Sequence, residues 1–325
     1  YFNNVIMLIA ASIIAYMTMA SAFPEWMPLG GQSIKGPAFD ALARPVGIFY
    51  ILVMTACPIL AWGGGDWKKL WERGKMPIVI GTALAGAFVA LYFTAMLPYY
   101  TSDGATPVWW HHFLAIAGVV TAGYAIALPL WLFIDGARKR AAATESSFGS
   151  ALGWILTKAR TQSGGYLTHL GMGIILIGLV GSTMFVRTHQ AVLEQVPGAS
   201  YEAEGYTFSF VELTETQENV GAGGQGDTVY TLVADITKDG RAIDTVKPQI
   251  RFPQQLAQQN QSTQHVALVS ELFKDVFCSF SGIDSAGNAN LTIKFFPMQS
   301  WVWAGFVLTI LGSGLAAWPK KLRAA

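Results

Sequence analysis

The residues best placed to do chemistry in this chain of 325 are its five histidines, and one of them stands apart. His169 lies in Gly165-Tyr-Leu-Thr-His-Leu-Gly-Met-Gly, inside a run apolar enough to cross a bilayer. An ionisable side chain at hydrocarbon depth is costly and marks a functional position by default. A neutral imidazole on an apolar helix face, flanked by glycines that let a flat macrocycle lie close, suits an axial ligand of a heme iron. The same spacing also fits a histidine hydrogen-bonded to a neighbouring helix or one near the cytoplasmic interface. His111 and His112 follow Trp109-Trp110 at the outer edge of another apolar run, where an interfacial anchor is favoured over a heme contact. His189 and His265 have no metal-ligand neighbour at suitable spacing, and surface or hydrogen-bonding roles are expected for both.

Other chemistries are poorly supported. The chain has no Gly-rich phosphate loop, nucleophile elbow or HExxH. Asp and Glu are sparse in the apolar runs, which argues against a proton relay or cation path. Cys57 and Cys278 are far apart, with no CxxC, and both read as buried small hydrophobes. A net charge of +1 gives no electrostatic footprint for nucleic acid.

The element pattern that must hold these residues is that of a membrane protein. Hydrophobic residues make up 52% and charged residues only 13%, about half the share of a soluble domain. Six runs reach the length needed to span: Val5–Ala22, Val46–Trp62, Met76–Leu97, Trp109–Phe133, Tyr166–Val186 and Trp301–Trp318. Lys68, Lys69, Arg73 and Lys75 follow the second span; Arg138, Lys139, Arg140, Lys158 and Arg160 follow the fourth; Lys320, Lys321 and Arg323 close the chain. The positive-inside rule puts those regions and both chain ends in the cytoplasm, and 187–297 outside. The chain opens on Tyr1, with neither a basic start nor a cleavage site, and this is read as a cut start.

Between the fifth and sixth spans the period changes to two. Tyr206–Leu213, Thr228–Ile236 and Asn290–Phe296 alternate as strands, Gly221–Asp227 reads as a turn, and Asp239-Gly240 as a hairpin turn. Gln249–Gln264 is polar and reads as a long loop or irregular crossing. The expected fold is an all-α polytopic membrane bundle of about six transmembrane helices with an inserted extracytoplasmic antiparallel β-domain, sandwich or open barrel. Its parts are 1–186 (spans one to five), 187–297 (β-domain) and 298–325 (last span and basic tail). Gly171, Gly173, Gly178 and Gly181 are expected to bring neighbouring helices close to the fifth span.

The ordered set of motifs resembles the C-terminal half of CcmF, the large subunit of the cytochrome c heme lyase of system I cytochrome c maturation. Phe2-Asn-Asn-Val, Gly31-Gln-Ser-Ile-Lys-Gly-Pro-Ala-Phe-Asp, Pro58–Trp62, the Gly165–Gly173 stretch, Lys274-Asp-Val-Phe and Pro297-Met-Gln-Ser-Trp-Val-Trp-Ala-Gly carry it. The resemblance implies that His169 is one of two transmembrane histidines ligating a b-type heme, with Gly165 and Gly173 beside the cofactor. It implies covalent heme attachment, as thioethers, to CxxCH motifs of apocytochrome c. It further implies a bacterial-type inner membrane, a heme chaperone of the CcmE type, CcmH-type subunits, and an upstream CcmF half, joined or separate. The family's Trp-rich heme-handling motif, its flanking outer histidines and its first transmembrane heme histidine have no counterpart here: Trp109-Trp110-His111-His112 lacks that motif's glycines and aspartate. Two rivals stand beside this reading: a non-catalytic heme-b anchor passing electrons from quinol, and a heme-free assembly factor.

Overall fold

In the computed structural model the described residues are 2–60, 67–100, 106–220, 226–254 and 262–318. Residues 221–225 of the expected Gly-rich turn, Trp62, the basic end Lys320, Lys321 and Arg323, and the side chains of Cys57, Lys69, Arg73 and Tyr99 lie outside them. The chain forms two compact units, 1–180 with 301–325, and 181–300.

The first unit is helical: α1 (Phe2–Met19), α2 (Gly36–Leu60), α3 (Trp67–Leu91), α4 (Val108–Thr144), α5 (Phe148–Lys158), α6 (Arg160–Met184) and α7 (Gln299–Ala317). Among the described residues six helices are long and apolar enough to cross a membrane, all but α5. Two features differ from the hydropathy reading. Helix α4 has 37 residues and continues past Phe133 through Arg138–Arg140 to Thr144. Charge ends a span but not a helix, and Ala141–Ala143 are strong helix formers that carry it on until Glu145 turns left-handed. The 11-residue α5 was not anticipated; the Ser147 hydroxyl caps it by accepting the Ser150 N–H at 3.2 Å. Its apolar face, Ala151 and Ile155, packs on Phe133 and Ala137 of α4, with Tyr166 and Leu167 of α6 alongside.

Glycines set the helix spacing, as the fifth-span pattern implied. A Cβ on Gly171 of α6 would lie 2.6 Å from the Gly305 carbonyl oxygen of α7, and one on Gly305 2.6 Å from the Gly171 carbonyl oxygen. Gly164 and Gly312 repeat this reciprocal contact two turns away. Such close approach is how helices associate where no water is present to drive them together.

The second unit is all antiparallel β: β1 (Arg187–Leu193), β2 (Ser200–Ala203), β3 (Tyr206–Glu218), β4 (Asp227–Lys238), β5 (Arg241–Val246), β6 (Gln249–Phe252), β7 (Thr263–His265), β8 (Ala267–Ser270), β9 (Lys274–Ile283) and β10 (Ala289–Pro297). A four-stranded sheet runs β1-β10-β9-β8, and a second runs β2-β3-β4-β6-β7 with β5 paired to β4. Both contribute to one core, in which Phe208, Leu232, Ile236, Phe280, Leu291 and Ile293 are fully buried. The β4–β5 connection is the anticipated Asp239-Gly240 turn: both residues have positive φ, 49° and 76°, as a type I′ turn requires. Of the segment read as a long loop or irregular crossing, Gln249–Gln264, residues 255–261 lie outside the described ones, and both its ends are strand. β6 pairs with both β4 and β7 through Gln249–Arg251, burying Ile250. Strands of three and four residues are too short for alternation to show.

Candidate functional site

His169 sits in the third turn of α6, half-buried. Its Nδ1 lies 2.7 Å from the carbonyl oxygen of Gly165, one turn earlier. A carbonyl only accepts, so Nδ1 carries the hydrogen and, in the neutral ring, Nε2 keeps its lone pair. This is the arrangement in which a backbone carbonyl fixes tautomer and ring orientation while the other nitrogen stays available as a ligand.

The faces of α6 differ in what they pack against. Gly164, Thr168, Gly171 and Ile175 form the stripe against α7. Gly173 packs against Ala125 and Ile126 of α4, and Val180 against Gly118. With about 100° per residue, His169 falls on the α4-facing side with Gly173 and Val180, four and eleven residues on, while Gly165 falls between the two stripes. A Cβ placed on Gly165 would meet nothing within 4 Å. The two glycines expected beside the cofactor each stand one turn from His169, and Gly165 is the one with open space beside it. Gly173 is occupied by helix packing, where its missing side chain admits the α4 backbone.

The remaining histidines are placed as follows. His111 is buried, and the Tyr92 hydroxyl lies 2.5 Å from Nδ1 of His112. The Tyr100 ring centre lies 4.7 Å from that of His111, tilted, and 4.6 Å from that of His112, edge-on. His111 and His112 thus share one cluster with Tyr92 and Tyr100, while the neighbouring Trp109 is 70% exposed. His189 lies 3.5 Å from Glu204 and edge-on to Phe295, while His265 is exposed on β7. Among the described residues no group of three or more His, Cys, Asp or Glu is arranged to hold a metal ion. Cys278 is fully buried in the β-core, and burial pushes its thiol up to about 12, so it is inert.

The β-domain also brings together charged groups that are far apart in sequence. Glu204 accepts from Arg187 at 2.8 Å and Lys274 at 3.0 Å; Glu271 accepts from Lys238 at 2.5 Å and the Tyr206 hydroxyl at 2.9 Å. Burial pushes the Glu271 carboxyl upward, but those two hydrogen bonds and the charges of Lys238 and Lys274 outweigh it and hold it low. These contacts join residues up to 70 positions apart, and only strand register creates them.

Asp275 behaves oppositely. It is 2% exposed, its Oδ1 has no hydrogen-bond partner, and burial raises its carboxyl above the ordinary value, against the lowering effect of Ser270 and the Glu271 backbone. A raised carboxyl favours the folded state below its unfolded pKa, and that contribution is lost as pH rises through the folded value. Asp275→Asn is therefore expected to stabilise the β-domain by about 1 kcal/mol at pH 7. The gain should shrink on titration toward pH 4, read from thermal unfolding of the β signal in the full chain. Equal gains at both pH values would contradict the assignment.

No protein-family model matches the chain. Among curated proteins, cytochrome c-type biogenesis protein CcmF of Haemophilus influenzae is 22% identical over 321 residues, 99% of this chain and 44% of that protein. CcmF of Pseudomonas aeruginosa is 23% identical over 326 residues, and the cytochrome c-type biogenesis protein ccl1 of Rhodobacter capsulatus 23% over 328. The chain is similar to the C-terminal half of CcmF. A solved structure named cytochrome c heme lyase CcmF has the same fold, with a TM-score of 0.62 at 18% identity, covering 98% of this chain and 46% of that one. The chain thus spans under half the length of the CcmF proteins it matches, and does so from end to end.

Proposed function

We propose that this chain is the C-terminal part of a CcmF-type cytochrome c heme lyase and that His169 is one axial ligand of a membrane heme b. The observation that carries the reading is the pairing of His169 Nδ1 with the Gly165 carbonyl, which leaves Nε2 as the ring nitrogen able to ligate, with open space beside Gly165. Those residues fit the group: Nε2 is the ligating atom, Gly165 leaves room for a flat macrocycle, and the glycine contacts with α4 and α7 hold the helix in place. When bound, the heme supplies one-electron redox chemistry that serves to keep transferred heme reduced. The chain's own part is to present a neutral imidazole in one tautomer and to exclude side chains from the space beside it.

The second axial histidine and the Trp-rich heme-handling segment belong, on this reading, to an upstream CcmF half, joined or separate. Thioether formation on apocytochrome c CxxCH motifs takes place in that complete assembly, with a CcmE-type heme chaperone and CcmH-type subunits as partners. The membrane is the bacterial-type inner membrane, with both ends cytoplasmic and residues 187–297 outside, where the β-domain is a docking platform. Reduced-minus-oxidised absorption of the protein together with its upstream half tests the ligand assignment. A b-type signal unchanged in His169→Ala would sink it.

A further inference from the structure

The turn between β8 and β9 carries two large apolar side chains at its tip, Leu272 and Phe273, 67% and 61% exposed. Its backbone is fastened to the residues that open α7. The Met298 N–H donates to the Phe273 carbonyl at 2.8 Å. The Ser300 hydroxyl donates to the carbonyls of Glu271 and Leu272 at 2.9 and 2.8 Å. The incoming chain closes on the same place, since a Cβ on Gly181 would lie 2.8 Å from the Pro297 carbonyl oxygen. Both covalent connections of the β-domain to spanning helices therefore meet at the end that bears this turn.

The outward face of the four-stranded sheet changes character along its length. At the end near the turn it shows Phe277 and Phe296, their rings edge to face at 5.9 Å, with Leu268 in register beside Phe277 and 55% exposed. Lys294, paired with Phe277, marks the transition. Beyond it the same face is polar: Ser281 bonds Thr292 at 2.9 Å, and Thr292 donates to Gln190 at 2.8 Å. Leu268, Phe277 and Phe296 thus gather toward the turn, where Ser270 and the buried Asp275 share the face, and the hydrogen-bonded polar side chains lie beyond them.

We propose that the Leu272–Phe273 tip, with Leu268, Phe277 and Phe296 behind it, enters the interfacial layer of the bilayer that α6 and α7 cross. A lipid surface is the occupant because of where the tip is tied. Ser300 directly precedes Trp301, and Trp301 and Trp303 are the aromatic residues expected at the interface at the head of the last span. Hydrogen bonds to residues 298 and 300 hold the tip within one helical turn of that level. Which side of the membrane this is does not enter the argument, nor does the heme assignment.

The test uses the full chain in phosphatidylcholine–phosphatidylglycerol liposomes, with a nitroxide on Leu272→Cys or Phe273→Cys and Cys57 replaced by Ala. Cys278 is buried and stays unlabelled. Val196→Cys is the aqueous control. Val196 is 57% exposed and follows the far end of β1, roughly 25 Å along the strands from the α7 junction. The tip label should relax several-fold more with molecular oxygen than with a water-soluble nickel complex, and the control should show the reverse. Nickel access equal to that at Val196 places the tip in water and overturns the proposal. Exclusion of both reagents means a protein surface covers it, which overturns it equally. The two tip positions are independent variants, so failure of one to fold leaves the other to decide.

Discussion

His169→Ala, in the protein together with its upstream half, is expected to remove the b-type signal from reduced-minus-oxidised spectra. Leaving the helix bundle folded is part of the expectation. The ring is half-buried and its described hydrogen bond is to its own helix, so its loss removes no described hydrogen bond between helices. The iron, by contrast, loses the only imidazole that α6 offers. His169→Met retains a neutral ligand and separates ligation from packing, because thioether ligation raises the potential and alters the spectrum. A signal retained with a shifted midpoint in Met and absent in Ala identifies the side chain as ligand. A signal lost in both, with normal folding, is consistent but less specific. Gly165→Leu adds a steric arm. A Cβ there would meet nothing within 4 Å, so a leucine is accommodated one turn from His169 at little cost to helix packing. It should lower heme content in the same preparation in which thermal stability is unchanged. Normal heme content in Gly165→Leu would place the cofactor on another face.

How much of this could be read before the structure depended on the length scale of each signal. The spans were legible because a run of about 20 apolar residues is a strong and local pattern. The end of α4 was not, since hydropathy reports where the bilayer stops and the helix continues for another turn or more through Arg138–Thr144. In the β-domain, the 13-residue β3 and 12-residue β4 alternate plainly, and Asp239-Gly240 declares its turn. Strands β2, β6, β7 and β8, of three or four residues, carry too few periods to show above the background. At the candidate site, composition pointed to His169 and the glycines near it, yet not to their division of labour. The i to i−4 hydrogen bond that sets the His169 tautomer is a matter of side-chain rotamer. The ion pairs of Glu204 and Glu271 are products of strand register and have no local sequence signature at all.

The glycines of α6 make that division of labour measurable. Gly171→Leu is expected to destabilise the helix bundle by about 3 kcal/mol, the upper part of the range for overpacking a close contact. The reason is backbone, which cannot rotate away. A Cβ at residue 171 would stand 2.4 Å from the Thr309 hydroxyl, 2.6 Å from the Gly305 carbonyl oxygen and 2.8 Å from the Thr309 nitrogen. Only separation of α6 from α7 relieves this, and separation gives up the matching contacts at Gly164 and Gly312 two turns away. Thermal melts in detergent, compared with those of Gly165→Leu, check it. The two substitutions are the same chemical change six residues apart on one helix, so propensity and hydrophobicity cancel between them. A large loss for 171 with none for 165 means that one stripe of α6 builds the bundle while the next is kept clear. Equal losses would mean that the side of α6 at Gly165 is a packing surface too, and the space beside it would then belong to a neighbouring helix and not to a cofactor.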